Sequence, residues 1–194
     1  MPRINAEYRT DAKNKIIAAA LEIAVNNGWD AMTLDAIAQK IGVTKGALYA
    51  YFVNSEALQR EVILEVFLKV RTGLEEILNG EDEVPVKFRD IADLLFDHQK
   101  SYAAVFCQLP IRIPVSSQYR EEFTTIFDSI IVLIREYLTL MKKNGKLPPD
   151  VDPDRAANAI MALTMGLRIS SLFLGREDNA VKQVWIDSVK RILS

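Results

Sequence analysis

The stretch TLDAIAQKIGVTKGALYAYF, residues 33–52, decides the fold. Leu34, Ile37, Ala38 and Ile41 recur at i, i+3, i+4 and i+7, the spacing of one helix face, and Thr33 stands where an N-cap belongs. Gly42 then allows the left-handed backbone that reverses the chain. Val43 is expected to plug the turn into the core. Thr44 caps a second short helix in which Leu48 and Phe52 point inward, leaving Thr44, Lys45, Ala47 and Ala50 outward. Two short helices joined by a tight turn, with small and polar groups on the free face of the second, are how a protein presents a helix to the major groove of DNA.

Working outward, Ile17, Ala20, Leu21 and Ala24 predict a helix over 11–27, stopped by Asn26, Asn27 and Gly28. Downstream, Asn54 or Ser55 starts a long helix through Leu58, Val62, Val66, Val70, Leu74 and Ile77 that ends near Asn79 and Gly80 and is expected to bridge two domains. Further helices are predicted over 86–96 and 100–108, after which Pro110 and Pro114 break the pattern. Residues 118–143 form a long helix apolar on more than one face. Asp152 with Pro153 at the first helical position begins another over 154–174, and a last one runs over 178–193. No strand-like alternation or internal repeat is present. The expectation is an all-α chain, with a three-helix helix-turn-helix domain at 1–54 and a helical bundle at 55–194.

With 194 residues, 49% of them hydrophobic and 26% charged, the chain buries a substantial core. The single Cys107 has no disulfide partner, no Cys/His cluster has metal-ligand spacing, and the first residues lack the apolar stretch of a signal peptide. Ile130 to Ile134 is too short an apolar run to cross a bilayer. A cytoplasmic protein with no cofactor, metal or membrane partner is expected. An enzyme is not: no nucleophile comes with a recognisable base, and the paired acids Glu75-Glu76, Glu121-Glu122 and Asp150/Asp152 read as helix-end or solvated charges. The net charge of −2 is unevenly spread. Residues 1–60 hold Arg3, Arg9, Lys13, Lys15, Lys40, Lys45 and Arg60 against Glu7, Asp11, Glu22, Asp30, Asp35 and Glu56, a faint basic bias that permits a DNA-facing surface without establishing one.

From Ile16 to Leu58 the order and spacing of Gly28, Thr33, Ile37, Ala38, Gly42, Val43, Gly46, Leu48, Tyr49, Tyr51, Phe52 and Leu58 resemble the DNA-binding domain of the TetR family of transcriptional regulators, named for the tetracycline repressor. The resemblance implies that Thr33 and Thr44 are phosphate-contacting helix caps. Both roles make physical sense, since a hydroxyl beside free backbone N–H groups favours anions. It implies too that Lys45, Gly46 and Ala47 enter the major groove and that Tyr49 and Tyr51 hold phosphates. Gly46 lets the backbone approach the bases, Lys45 is suited to guanine O6/N7 or a phosphate, and Ala47 and Ala50 to a thymine methyl. Ser55 departs from the pattern, because many relatives carry a lysine there. Serine brings no charge to a phosphate, so a shallower salt dependence is expected, with Arg3, Arg9 and Lys13 compensating from a mobile N-terminal arm.

One short recognition helix reads few base pairs, so a homodimer on double-stranded operator DNA is expected. The two C-terminal helices suit the interface. Ala157, Ala159, Ala162, Gly166 and Ser170 allow close approach, and Leu163, Leu167, Val181, Trp185, Val189 and Ile192 offer apolar area. The resemblance implies that residues 55–194 bind a small-molecule effector, of unknown identity, that releases DNA; the chain is then a ligand-released repressor. Phe88, Phe96, Tyr102, Phe106, Phe123, Phe127, Met161 and Met165 are the candidate ligand-binding residues, although such spacing also describes plain core. His98 and Cys107 read as ordinary structural residues. The alternative is a family-like interaction or small-molecule-binding protein that has lost operator binding.

Overall fold

A computed structural model describes residues 6–97, 102, 105 and 120–194, which form helices and no strand. Helix α1 spans Ala6–Asn27. It starts before the expected Asp11 because no glycine or proline after Ala6 interrupts it. Arg9 and Lys13 therefore lie within α1 and not in a mobile arm. A 3-10 turn, Trp29–Ala31, leads to α2 (Leu34–Ile41), α3 (Lys45–Tyr49) and α4 (Ser55–Asn79). Next come α5 (Val84–Phe96), α6 (Arg120–Lys143), α7 (Pro153–Leu174) and α8 (Asp178–Ile192). Of the helix expected at 100–108 only Tyr102 and Val105 are described, both helical. Arg3, His98, Phe106, Cys107, Pro110 and Pro114 lie outside the described residues.

The chain divides into two units, residues 1–66 and 67–194, and the division falls inside α4. In the first unit α1 packs on the 3-10 turn and on α2, and α2 packs on α3. The predicted stripe of Ile17, Ala20, Leu21 and Ala24 is buried, as are Ile37, Ala38, Leu48 and Phe52. Gly42, with φ of 72°, closes α2. Its N–H reaches the Gln39 carbonyl at 3.3 Å and that of Val43 reaches the Ala38 carbonyl at 3.0 Å, the paired bonds of a Schellman stop. Val43 does not plug the core, as expected from sequence; it is 41% exposed, because its backbone serves the stop while its side chain faces out.

In the second unit α6 packs on α7, α7 on α8, and α8 on α5. Gly73 lets α4 and α5 come close, since a Cβ there would lie 3.1 Å from the Leu94 side chain. Asp152 caps α7 by accepting from the N–H groups of Asp154 at 2.9 Å and Arg155 at 3.2 Å. Trp185, 2% exposed, donates its indole N–H to Thr164 Oγ1 at 2.8 Å, and that hydroxyl donates in turn to the Ile160 carbonyl at 2.8 Å. The Trp185 indole and the Thr164 hydroxyl are thus satisfied in series.

This packing corrects part of the expected dimer surface. Ala157, Val181, Trp185 and Val189 are buried inside the chain itself. They face α5 and the other helices of the unit because α8 packs on α5 as well as on α7.

Candidate nucleic-acid interface and apolar cavity

Local chemistry sets the reading head. Thr33 Oγ1 accepts from the Ala36 N–H at 3.1 Å and Thr44 Oγ1 from the Ala47 N–H at 3.3 Å, so each threonine fixes the first turn of its helix. Leu48, 1% exposed, and Phe52, 3% exposed, anchor α3 and the turn after it. Everything else on α3 faces out: Lys45, Gly46, Ala47 and Tyr49 are exposed, with Thr44 before them and Ala50 after. Tyr51 is half-buried, and Ser55 is exposed as the first residue of α4. The cap of α4 is Asn54, whose Oδ1 accepts from the Ala57 N–H at 2.8 Å.

Gly46 has no internal reason to be glycine. A Cβ there would meet only Thr44 Oγ1, at 3.9 Å, an ordinary contact. Glycine inside a helix costs about 1 kcal/mol relative to alanine. The fold of this chain alone does not repay that cost.

The cations of this unit are largely engaged. Lys45 Nζ pairs with Asp35 at 2.8 Å, Lys40 with Glu22 at 2.7 Å and Lys13 with Glu61 at 2.9 Å. The hydrogen bond and charge of Asp35 hold the Lys45 ammonium above its ordinary range. Sequence reasoning missed one contact that bears on the site. Arg9 Nη2 donates to the Ala50 carbonyl at 3.1 Å, tying α1 to the end of α3 across 41 positions of sequence. No local signal marks such a contact.

In the second unit, Val70, Leu74, Phe88, Ile91, Leu95, Ile130, Ile134, Tyr137, Ile160, Met161, Trp185 and neighbouring residues line an apolar cavity of about 50 Å3. Of the residues expected to bind a ligand, Phe88 and Met161 are in this wall. Phe123 and Phe127 instead pack on Phe67, with ring centroids 6.4 and 6.3 Å away, and Phe96 packs on Trp185 at 6.3 Å. Tyr102 lies under the Lys69 ammonium at 5.1 Å. Met165 is half-buried on α7. Among the described residues no group of His, Cys, Asp and Glu is arranged to hold a metal, and no helix is long and apolar enough to cross a membrane.

Residues 16–62, which carry α2, α3 and the flanking parts of α1 and α4, match the family described as bacterial regulatory proteins, tetR family. The chain thus carries a TetR-type DNA-binding domain over those residues. It is accordingly a helix-turn-helix, DNA-binding transcriptional regulator. Over 158 residues the chain is 23% identical to the HTH-type transcriptional regulator UidR of Escherichia coli K12, covering 80% of the chain and 79% of UidR. Over 206 residues it is 28% identical to the HTH-type transcriptional regulator TtgR of Pseudomonas putida, covering 97% of the chain and 94% of TtgR. Its fold is that of FadR from Bacillus subtilis, a transcriptional regulator solved in complex with stearoyl-CoA. The TM-score is 0.71 at 20% identity, over 93% of this chain and 97% of FadR.

Proposed function

We propose that this chain is a cytoplasmic, homodimeric repressor of the TetR family that leaves its operator when a small apolar molecule enters the second unit. The observation that carries the DNA reading is the free face of α3, where Thr44, Lys45, Gly46, Ala47, Tyr49 and Ala50 are exposed while Leu48 beneath them is buried. A duplex supplies the external reason for Gly46, because its backbone is then free to approach base edges. Thr33, Thr44, Tyr49, Tyr51 and Ser55 take the phosphates on either side, which fixes register.

The dimer is assigned to an exposed stripe on α7. Ala159, Ala162, Gly166, Ile169 and Phe173 recur at alternating spacings of three and four, all exposed, with Phe173 88% exposed. Such a stripe suits helix-on-helix packing. A Cβ on Gly166 would meet nothing within 4 Å, so close approach by a second helix accounts for a glycine at mid-helix. Val184 on α8, 47% exposed, extends the apolar area.

The test is nuclease protection of intergenic DNA by the pure protein. A protected sequence with two half-sites about one helical turn apart is expected. Failure to protect any duplex would leave the interaction-protein reading in its place.

A further inference from the structure

Beside the end of α4, Lys87 on α5 is only 7% exposed, and its ammonium donates to the Leu78 carbonyl at 2.6 Å. The charge also lies 5.3 Å from the centre of the Tyr137 ring. Among the described residues no carboxylate pairs with it. An ammonium has three protons to donate, so two lack an acceptor among the described residues, on a side chain that is largely buried. Capping the last carbonyls of α4 explains one bond, but a charge buried with so little compensation is costly.

The surroundings say what would complete it. Lys87 lines an open cleft of about 510 Å3 whose wall includes Leu78 and Tyr137. The same two residues line the apolar cavity. A cation with spare donors therefore stands where an aqueous cleft meets a carbon-lined space. Glu81, Asp82, Glu83 and Glu136 also line the cleft, opposed by Lys146. All four acids are exposed, so water screens them, whereas a bond to the buried ammonium is protected and charge-assisted. At about 50 Å3 the cavity is small, so a slim chain has to widen it less than a ring system does.

We propose that Lys87 anchors the carboxylate of a single-chain aliphatic acid whose tail passes between Leu78 and Tyr137 into the apolar cavity. The inference rests on the reading of that cavity as the effector site. Trp185 lines the cavity and the chain's other tryptophan is Trp29, so a Trp29→Phe background makes indole fluorescence a direct report of occupancy.

The full-length protein is titrated with dodecanoate, dodecanol and dodecyltrimethylammonium. Dodecanoate is expected to bind about tenfold or more tightly than either of the others, the factor that a hydrogen bond to a charged group supplies. Lys87→Met should remove the advantage of dodecanoate over dodecanol, while Lys87→Arg should keep most of it. Preference for the cation, or dodecanoate binding indifferent to Lys87→Met, overturns the proposal. If Lys87→Met does not fold, the ranking of the three probes on the Lys87 protein decides by itself. Lys87-dependent binding that leaves operator occupancy unchanged would refute the effector reading and keep the anchor. Absence of dodecanoate binding by a protein that still holds its operator would remove the anchor alone.

Discussion

Ser55→Lys tests where α4 begins relative to the DNA backbone, and its two effects have opposite signs. Ser55 is exposed and opens α4, while the capping bond belongs to Asn54, so the substitution leaves the cap in place. One added phosphate contact steepens the slope of log affinity against log salt by about 0.9. At about 0.1 M salt that is about eightfold tighter operator binding, and the gain widens about 3.5-fold between about 200 and about 50 mM. In the free protein, however, a cation in the first turn meets the positive end of the helix, which costs about 0.3–1 kcal/mol of folding stability. The variant should therefore bind more tightly and melt at a lower temperature. Fluorescence anisotropy on an operator duplex across that salt range, beside thermal unfolding, reads both quantities, with Ser55→Met as the uncharged control. An unchanged salt slope would show that the start of α4 does not face phosphate.

Other substitutions separate binding from stability. Thr44→Ala removes the acceptor of the Ala47 N–H and should lower stability by about 0.5–2 kcal/mol as well as operator affinity. Tyr49→Phe removes only a hydroxyl from a half-exposed ring, so a mobility-shift titration should show weaker binding at an unchanged melting temperature; equal affinity would take Tyr49 out of the site. Trp185→Phe loses the bond to Thr164 and opens space in the core, for a loss of about 2–4 kcal/mol measurable by urea unfolding. Ala162→Asp, in the exposed stripe of α7, should shift the sedimenting species to the monomer and weaken operator binding; an unchanged mass would place the dimer elsewhere.

What the sequence shows plainly is whatever the chain decides locally. Thr33, Gly42 and Thr44 act within one turn of themselves, by capping bonds and a left-handed stop, so the helix-turn-helix and its outward face are legible from 20 residues of text. Val43 sits in the same turn, yet whether its side chain is covered depends on packing that no local bond dictates. The same limit explains the dimer surface. Periodicity shows that α7 and α8 carry more apolar positions than one stripe, but only the packed structure shows that Ala157, Trp185 and Val189 are spent inside while Ala159, Ala162 and Gly166 are left outside. Aromatic spacing alone does not separate cavity wall from packed core: Phe88 lines the cavity, whereas Phe123 and Phe127 fill space against Phe67. Most of the wall is made of branched aliphatics such as Val70, Leu74, Ile91 and Ile160, which carry no such mark in the sequence. Lys87 carries no sequence signal at all, since a lysine on an amphipathic helix reads as solvated.

The size of the cavity bears on how release would work. Drug-sized sites enclose about 300–1,000 Å3, so at about 50 Å3 the cavity must widen before a chain fills it. A ligand that fits only the widened state favours that state by the whole of its binding energy there, and a ligand that fits both states equally favours neither. Moving a population from about 99% operator-competent to about 1% takes about 5.5 kcal/mol of such difference. Each buried methylene contributes about 0.8 kcal/mol, so about seven methylenes reach that figure once the cost of widening is met. The midpoint concentration of an aliphatic acid for operator release should then fall about fourfold per added methylene until the cavity is full. Anisotropy of an operator duplex titrated with acids of increasing length gives the slope directly. A response flat in chain length would mean that the cavity does not take the tail, and that release, if it occurs, is driven from the cleft at Lys87 alone.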